Sequence, residues 1–195
     1  MQRTANRLIG AAIERFEDTR FLRGRGTFIA DLKLDGMLHA AVLRSTFAHG
    51  RIRSIDTAAA LSMPGVRAVI TAGEIGSPVP RIPIRLDAQP VYKTYEQPVI
   101  ADGKVRYVGE PIALVVADSQ AIAEDALREI DADIEPLPAL VEAADAMSSG
   151  NLLFEASASN APATIEGVKG DVEAAFADAP YTRSERFRVH RHSAI

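Results

Sequence analysis

The segment that decides the fold is Pro111-Ile-Ala-Leu-Val-Val-Ala117, which contains no charged or hydroxyl-bearing side chain. Its β-branched residues favour a strand, and its uninterrupted apolar character predicts a buried one. Because no polar residue alternates with the apolar ones, we expect both faces of this strand to be covered. The apolar run Ile112–Ala117 is far shorter than the roughly 18 residues that a membrane span requires, so no span is predicted.

The flanks of this strand predict a β-α-β run over residues 105–135. Asp118 and Ser119 are candidate N-caps of a helix from Gln120 to Arg128, and Ala132–Glu135 follows as a strand. Upstream, Val99-Ile100 and Lys104–Val108 are short strands around an Asp102-Gly103 turn.

A second such run lies earlier in the chain. Met37–Arg44 predicts a buried strand and Val66–Thr71 another. Between them, Ser54–Met63 predicts a helix with Ser54 or Asp56 as its N-cap and Pro64-Gly65 at its end. The two runs together predict an α/β domain built from two β-α-β-like halves. Its expected core consists of Leu38, Ala41, Leu43, Val66, Val69, Ile112, Leu114, Val116, Ile122 and Leu127.

Residues 72–98 differ from the rest because they contain five prolines, which predicts a long loop without regular structure. Tyr92 and Tyr95 lie in this loop, where a disordered linker would tend to lack aromatic residues. Further on, we expect a short helix over Ala139–Met147, a linker over 148–169, a helix over Val172–Ala179 and a strand over Tyr181–Val189.

Composition excludes several classes of protein. The 195 residues carry a net charge of −4, which argues against nucleic acid as the main partner. Residues 1–53 hold ten Lys and Arg against five Asp and Glu, so this basic third is a candidate surface for an acidic partner. The absence of cysteine excludes thiolate ligands and disulfides. No secretory signal is evident at the N-terminus, so we expect a cytoplasmic protein.

Few residues are candidates for chemistry. His190 and His192 form an H-x-H pair without an evident third metal ligand, while His39 and His49 suit a core position and a loop hydrogen bond. Glu110, between Gly109 and Pro111, is the carboxylate in the most unusual backbone setting, and a turn-capping role suits it better than catalysis. We therefore assign no catalytic, cofactor-binding or metal-binding residue in this chain.

Six motifs follow one another along the chain. Arg15-x-Glu17-Asp18-x-Arg20-Phe21-Leu22-x-Gly24-x-Gly26 comes first, and Gly36–Ala40, Leu43–Ile52, Pro64–Val66, Lys104–Pro111 and Glu135–Ala139 follow. In this order they resemble the N-terminal α/β hammerhead domain of the large subunit of molybdenum hydroxylases, the family of xanthine dehydrogenase, aldehyde oxidase and aerobic carbon monoxide dehydrogenase. The motif Gly170-Asp171-Val172-x-Ala174-Ala175-Phe176 resembles the start of the molybdenum-binding domain that follows it.

The resemblance implies an N-terminal arm over 1–27, a hammerhead domain over 28–147, a linker over 148–169 and the beginning of a molybdopterin-binding domain over 170–195. It implies a fragment of an oxidoreductase whose intact form oxidises an aldehyde, an N-heterocycle or carbon monoxide. A molybdenum–pterin, with the cytosine dinucleotide form as one candidate, would be held by the remaining domains of the large subunit. Iron–sulfur clusters and FAD would be held by partner subunits or domains.

By this resemblance the chain is a structural and substrate-access module and holds no cofactor itself. Tyr92 and Tyr95 are then candidates for the substrate entrance. The alternative is a free-standing binding or interaction module that reuses the hammerhead fold, because a fold does not fix a function.

Overall fold

The computed structural model describes residues 10–85 and 90–189. These residues divide into two compact units. The first contains the described residues up to Pro80 together with Pro98–Leu137, and the second contains Arg81–Gln97 and the described residues from Pro138 onward. The mixture of helices and small sheets confirms the expected fold class.

The strands, in chain order, are β1 (His39–Arg44), β2 (Gly50–Asp56), β3 (Val66–Ile70), β4 (Arg81–Ile82), β5 (Gln97–Pro98), β6 (Lys104–Val105), β7 (Pro111–Ala117) and β8 (Asp131–Pro136). The α-helices are α1 (Asp18–Leu22), α2 (Ala58–Ser62), α3 (Ala72–Ile75), α4 (Gln120–Ala126), α5 (Ala143–Ser148) and α6 (Val172–Asp178). Short 3₁₀ helices cover Ile29–Asp31, Pro90–Tyr95 and Leu127–Glu129.

The apolar strand β7 is the centre of the first sheet. It pairs antiparallel with β1 on one side and with β3 on the other, in the order β1-β7-β3. The register places Ala41, Val115 and Val69 in one cross-strand row, and all three are buried at 6%, 0% and 5% exposure. The central position of β7 explains why it has the most continuous apolar sequence in the chain.

Helices α2 and α4 cover the buried face of this sheet. Ala60 of α2 and Ala123 and Ala126 of α4 are fully buried in the same cluster as Val115. Small alanine side chains let the helices approach the strands closely, while burial of a valine such as Val115 contributes about 1.5–3 kcal/mol. Ser119 caps α4 by accepting a hydrogen bond from the Ile122 amide at 3.3 Å, in agreement with one of the two caps proposed from the sequence.

A second sheet has the order β6-β2-β8, with antiparallel pairing throughout. Its cluster contains Ala101, Val105, Ile112 and Ile134, so β7 contributes Ile112 to this core and Val115 to the other. On β8, Asp131 and Asp133 are exposed, as expected of a solvated face, and Glu135 is half-buried and paired with Arg53.

Most of the expected core is present, with one clear error. Ala41, Val69 and Ile112 are buried, and the partly buried Leu43, Val66, Ile122 and Leu127 pack against the core clusters. Leu114 and Val116 are half-buried. Leu38 is wrong: it precedes β1 and is 48% exposed, because the first strand begins at His39 and not at Met37.

The expected β-α-β topology is wrong in both halves. The strands β1 and β3 lie in one sheet but are separated by β7, and β7 and β8 belong to different sheets. The helix expected over Ser54–Met63 is formed only over Ala58–Ser62, because β2 continues to Asp56. Of the two N-cap candidates, Asp56 accepts a hydrogen bond from the Ala58 amide at 2.9 Å, whereas Ser54 lies within β2.

Two further segments differ from expectation. Residues 72–98 were expected to lack regular structure, but they contain α3, β4, the 3₁₀ helix Pro90–Tyr95 and β5. The prolines permit this because 3₁₀ turns and two-residue strands need few backbone donors.

Val99-Ile100 is not a strand, since pairing occurs at Gln97–Pro98, and β6 ends at Val105.

The C-terminal helices are close to expectation: α6 begins after Asp171, which accepts a hydrogen bond from the Ala174 amide at 3.0 Å. Helix α5 begins at Ala143 and not at Ala139. The strand expected over Tyr181–Val189 is not formed by these residues.

The buried glycine at the start of β2 provides a test of this packing. A Cβ added at Gly50 would lie 2.5 Å from Ile134 Cγ2 and 3.1 Å from the Glu135 carbonyl oxygen. We expect Gly50→Ala to lower the free energy of unfolding by about 1–3 kcal/mol, as overpacking does. The matched control is Gly150→Ala, where an added Cβ meets nothing within 4 Å. Chemical denaturation of both variants measures this, and equal stability of the two would contradict the described packing.

Candidate functional site

Buried polar residues gather where β1 ends and β7 begins. Among the described residues of the first unit, Ser45, His49 and Glu110 are the polar or charged side chains that are buried, at 2%, 4% and 1% exposure. All three lie in the motif segments Leu43–Ile52 and Lys104–Pro111. Burial of polar groups is costly without compensating hydrogen bonds, so this cluster is the natural candidate site.

Ser45 joins the two segments through its backbone. Its amide donates to the Glu110 carbonyl at 2.9 Å, and its carbonyl accepts from the Gly109 amide at 2.8 Å. The Ser45 hydroxyl accepts from the Phe47 amide at 3.0 Å, which closes a local turn. The neighbouring Arg44 guanidinium donates to the Gly109 carbonyl at 2.9 Å. These contacts continue the pairing of β1 with β7 beyond the last residue of β1.

Glu110 caps the turn that precedes β7. Its Oε2 accepts a short hydrogen bond from the Arg106 amide, and its own amide donates to the Tyr107 carbonyl at 3.2 Å. Gly109 has a φ of +93°, a conformation that only glycine adopts without strain. Glu110 Oε1 is buried and has no hydrogen-bond partner among the described residues. The structure therefore supports the capping role over the catalytic one.

Burial dominates the electrostatics of this turn. Desolvation raises the pKa of Glu110 above its ordinary value of 4.5, against the opposing effect of the amide hydrogen bond from Arg106. Desolvation also raises the pKa of Tyr107, and the Glu110 charge adds to this effect while Arg44 opposes it. A buried carboxyl of raised pKa can hold a proton, yet the contacts around it are those of a structural cap.

The two glycine-containing turns near Gly24 and Gly109 do not fit the phosphate of a pterin cofactor. Such a phosphate needs free backbone amides. Near Gly109, the Arg106 amide binds the Glu110 carboxyl and the Gly109 amide binds the Ser45 carbonyl. Near Gly24, the Gly24 and Arg25 amides bind the carbonyls of Phe21 and Arg20 at 3.0 and 2.9 Å. These amides are already used within the chain.

Metal ligands are not brought together either. In the part of the chain that the structure describes, no three His, Cys, Asp or Glu side chains form a group able to hold a metal ion. His190 and His192 lie outside the described residues. His39 is half-buried on β1, and the carbonyl of the buried His49 accepts from the Leu137 amide at 2.9 Å.

The two tyrosines of the proline-rich loop lie in the second unit. Tyr95 is half-buried, and its hydroxyl lies 2.9 and 3.1 Å from the carbonyl oxygens of Ser159 and Ala161. Its ring meets Phe154 edge-on at 5.7 Å between centroids. Tyr92 is also half-buried, and its hydroxyl makes no hydrogen bond among the described residues. Tyr95 thus holds the loop against residues 154–161, whereas Tyr92 does not.

Sequence reasoning missed the structural importance of Arg44 and Ser45. Both lie in a recognised motif, but only the fold shows that they bond the turn before β7 across more than sixty residues of sequence. The sequence carried a local signal only for Ser45, because a serine hydroxyl often closes a turn by hydrogen-bonding to the backbone two residues later.

Comparison with known proteins identifies the relatives of this chain. The family model for the "aldehyde oxidase and xanthine dehydrogenase, a/b hammerhead domain" matches residues 23–138. The gamma subunit of the 6-hydroxypseudooxynicotine dehydrogenase complex of Paenarthrobacter nicotinovorans is 37% identical over 96% of this chain and 24% of its own length. The large chain of carbon monoxide dehydrogenase from Afipia carboxidovorans is 35% identical over 94% of this chain and 24% of its own.

Solved structures agree with these sequences. Quinoline 2-oxidoreductase from Pseudomonas putida 86 superposes with a TM-score of 0.66 at 41% identity, over 77% of this chain and 19% of that one. The chain spans about a quarter of the length of the curated relatives it matches. Within the described residues, every helix is too short or too polar to traverse a bilayer.

The raised pKa of Glu110 predicts a pH-dependent stability. The folded state binds the Glu110 proton more tightly than the unfolded state does, so this contribution is complete below pH 4.5 and is lost as pH rises through the raised pKa. We expect Glu110→Gln, which keeps an acceptor for the Arg106 amide, to gain stability relative to the wild type as pH rises through this window. Glu110→Ala also removes the acceptor of the Arg106 amide, which costs about 1–3 kcal/mol at low pH. Its deficit relative to the wild type should shrink as pH rises, because this variant too lacks the titrating carboxyl.

Urea denaturation of both variants between pH 4 and 8 measures these effects. The matched control is Glu129→Gln, because Glu129 is exposed. A constant stability difference between Glu110→Gln and the wild type over this range would show that burial does not control the proton on Glu110.

Proposed function

We propose, from the premise that the chain belongs to the aldehyde oxidase and xanthine dehydrogenase hammerhead family, that it is the N-terminal part of the large subunit of a molybdenum hydroxylase. The observation that carries this proposal is the match over 96% of this chain to a relative of which it covers only 24%. The match to a carbon monoxide dehydrogenase large chain likewise covers 94% of this chain and 24% of that relative. The chain is thus an oxidoreductase by family, and it supplies one module of the whole enzyme.

The module's own contribution is structural support and substrate access. Its buried carboxyl caps a turn, and the glycine-containing turns examined above have their amides bonded internally. When bound to the intact enzyme, the molybdenum–pterin group supplies the oxidative chemistry. The two glycine turns near Gly24 and Gly109 have amides that are already bonded within the chain, and we propose that the remaining domains of the large subunit would hold that group.

The same proposal extends to the partner subunits, cofactors and substrate of the whole enzyme. Relatives are named as subunits of complexes, such as the gamma subunit of a dehydrogenase complex. We propose that iron–sulfur clusters and FAD lie on partner subunits or domains, that the pterin has the cytosine dinucleotide form as one candidate, and that the enzyme is cytoplasmic. The substrate would be an aldehyde, an N-heterocycle or carbon monoxide, since relatives are named for nicotine, carbon monoxide and aldehyde. No observation favours the alternative of a free-standing module.

The proline-rich loop is the part of this chain that we propose for the substrate entrance. Long loops on a rigid scaffold often carry function, and the hydrogen bonds of Tyr95 to Ser159 and Ala161 anchor the part of the loop around Tyr95. Tyr92 is the better candidate for direct substrate contact because its hydroxyl is not used among the described residues.

In the full-length enzyme, we expect Tyr92→Ala and Tyr95→Ala to raise KM or alter substrate preference while leaving the molybdenum content unchanged. Tyr95→Phe separates the two roles of Tyr95, because it removes the hydroxyl bonds and keeps the ring contact with Phe154. Steady-state kinetics with an aldehyde, an N-heterocycle and carbon monoxide measure the effect. Unchanged kinetics with every substrate would remove the loop from the entrance.

The length and the molybdenum content of the natural gene product test the proposed function. We expect an immunoblot of the source cells, with an antibody against this chain, to detect a polypeptide about four times as long. That polypeptide should contain about one molybdenum per chain, whereas the purified 195 residues, expressed with the cofactor available, should contain none. A natural product of 195 residues would support the free-standing module, and stoichiometric molybdenum in the short chain would contradict the role assigned to it.

A further inference from the structure

The two faces of the β1-β7-β3 sheet differ in how far they are covered by the rest of the first unit. The row Ala41–Val115–Val69 lies beneath α2 and α4. On the opposite face the register aligns Val42, Leu114 and Ile70 in one row and Ala40, Val116 and Ala68 in the next. Five of these six residues are half-buried and Ala40 is exposed. We call these six residues, together with the adjoining Ile75 and Val99, the open face.

The composition of the open face is that of a covered surface. An antiparallel sheet with one solvated face shows polar residues on that face, but all eight residues here are apolar. Ile75 and Val99, at 39% and 40% exposure, border an apolar groove that also contains Val42, Ile70 and Leu114. Contiguous exposed apolar surface of this kind marks an interaction site.

On the face that includes the open face, the burial of the β7 side chains decreases along the strand. Ile112, which has the same side-chain parity as Leu114 and Val116, is 2% exposed because the second core cluster covers it. Leu114 and Val116 lie beyond that cluster and are only half-buried. The core of this unit therefore ends partway along one face of its central strand.

We propose that the open face is a docking surface for an apolar segment of the same large-subunit polypeptide, outside these 195 residues. This inference rests on the proposed function. The relatives that match 96% of this chain are about four times as long, so hundreds of residues accompany this module in them. The open face carries no charge, and its partner segment accordingly needs apolar side chains and no compensating ions.

A covalently attached segment also has an advantage over a second copy of this chain. Attachment to the same polypeptide gives an effective concentration on the order of millimolar, which a separate molecule does not reach at ordinary protein concentrations. Burial of valine, leucine and isoleucine side chains then supplies the favourable free energy of docking.

The absence of cysteine from these 195 residues allows a direct accessibility test. Val99→Cys places a thiol on the open face, and Ile75→Cys is a second reporter should the first variant fold poorly. The matched control is Glu124→Cys on the polar, exposed surface of α4. Each variant is made in the 195-residue chain and in the full-length large subunit, and maleimide modification of the variant peptide is followed by mass spectrometry.

We expect Val99→Cys to react about tenfold or more slowly in the full-length subunit than in the short chain, because the reagent must wait for local opening. Glu124→Cys should react at the same rate in both. Equal rates for Val99→Cys in the two proteins would overturn the docking surface while leaving the proposed function intact.

Three further outcomes would also overturn the inference. Slow reaction of Val99→Cys in a short chain that sediments as a dimer would assign the open face to a second copy. The absence of any natural polypeptide longer than 195 residues would remove the proposed function and the docking surface together. Protection of Glu124→Cys as strongly as Val99→Cys would show that burial in the subunit is not specific to this face.

Discussion

The antiparallel pairing of β7 with two strands at once is the constraint on which the first unit depends. β7 pairs with β1 along one edge and, over Leu114–Ala117, with β3 along the other. Its side chains alternate between the two faces of the sheet. Ala113, Val115 and Ala117 pack under the helices, while Ile112 reaches the second core cluster. One strand of seven residues thereby links both cores of the unit.

The polar turn before β7 sets where this strand starts. Glu110 binds the Arg106 amide with its side chain, while Ser45 and Arg44 bond the backbone of residues 109–110 to the end of β1. These groups satisfy backbone donors and acceptors of the turn that would otherwise lack partners within the chain. The conspicuous Gly109-Glu110-Pro111 sequence is therefore explained by the architecture of the first unit.

The sequence predicted elements more reliably than it predicted their pairing. Apolar runs and caps located β7, α4 and α6 because these signals are local. The wrong β-α-β topology arose because periodicity does not reveal which strands are neighbours. The helix α2 was predicted to begin too early because Ser54 and Asp56 are both typical N-cap residues before an alanine-rich run. The Glu110 cap was expected from its backbone setting, whereas the contribution of Ser45 depends on a partner more than sixty residues away.

Native-state hydrogen exchange of the 195-residue chain tests the central role of β7 most directly. The amides of Ile112 to Ala117 are predicted to belong to the slowest-exchanging class and to exchange only through global unfolding, with a denaturant dependence equal to that of the unfolding transition. The outward-facing amides of the edge strands β1 and β3 are predicted to exchange faster by local opening. Exchange of the β7 amides through small openings, before the helices α2 and α4 are lost, would contradict the account.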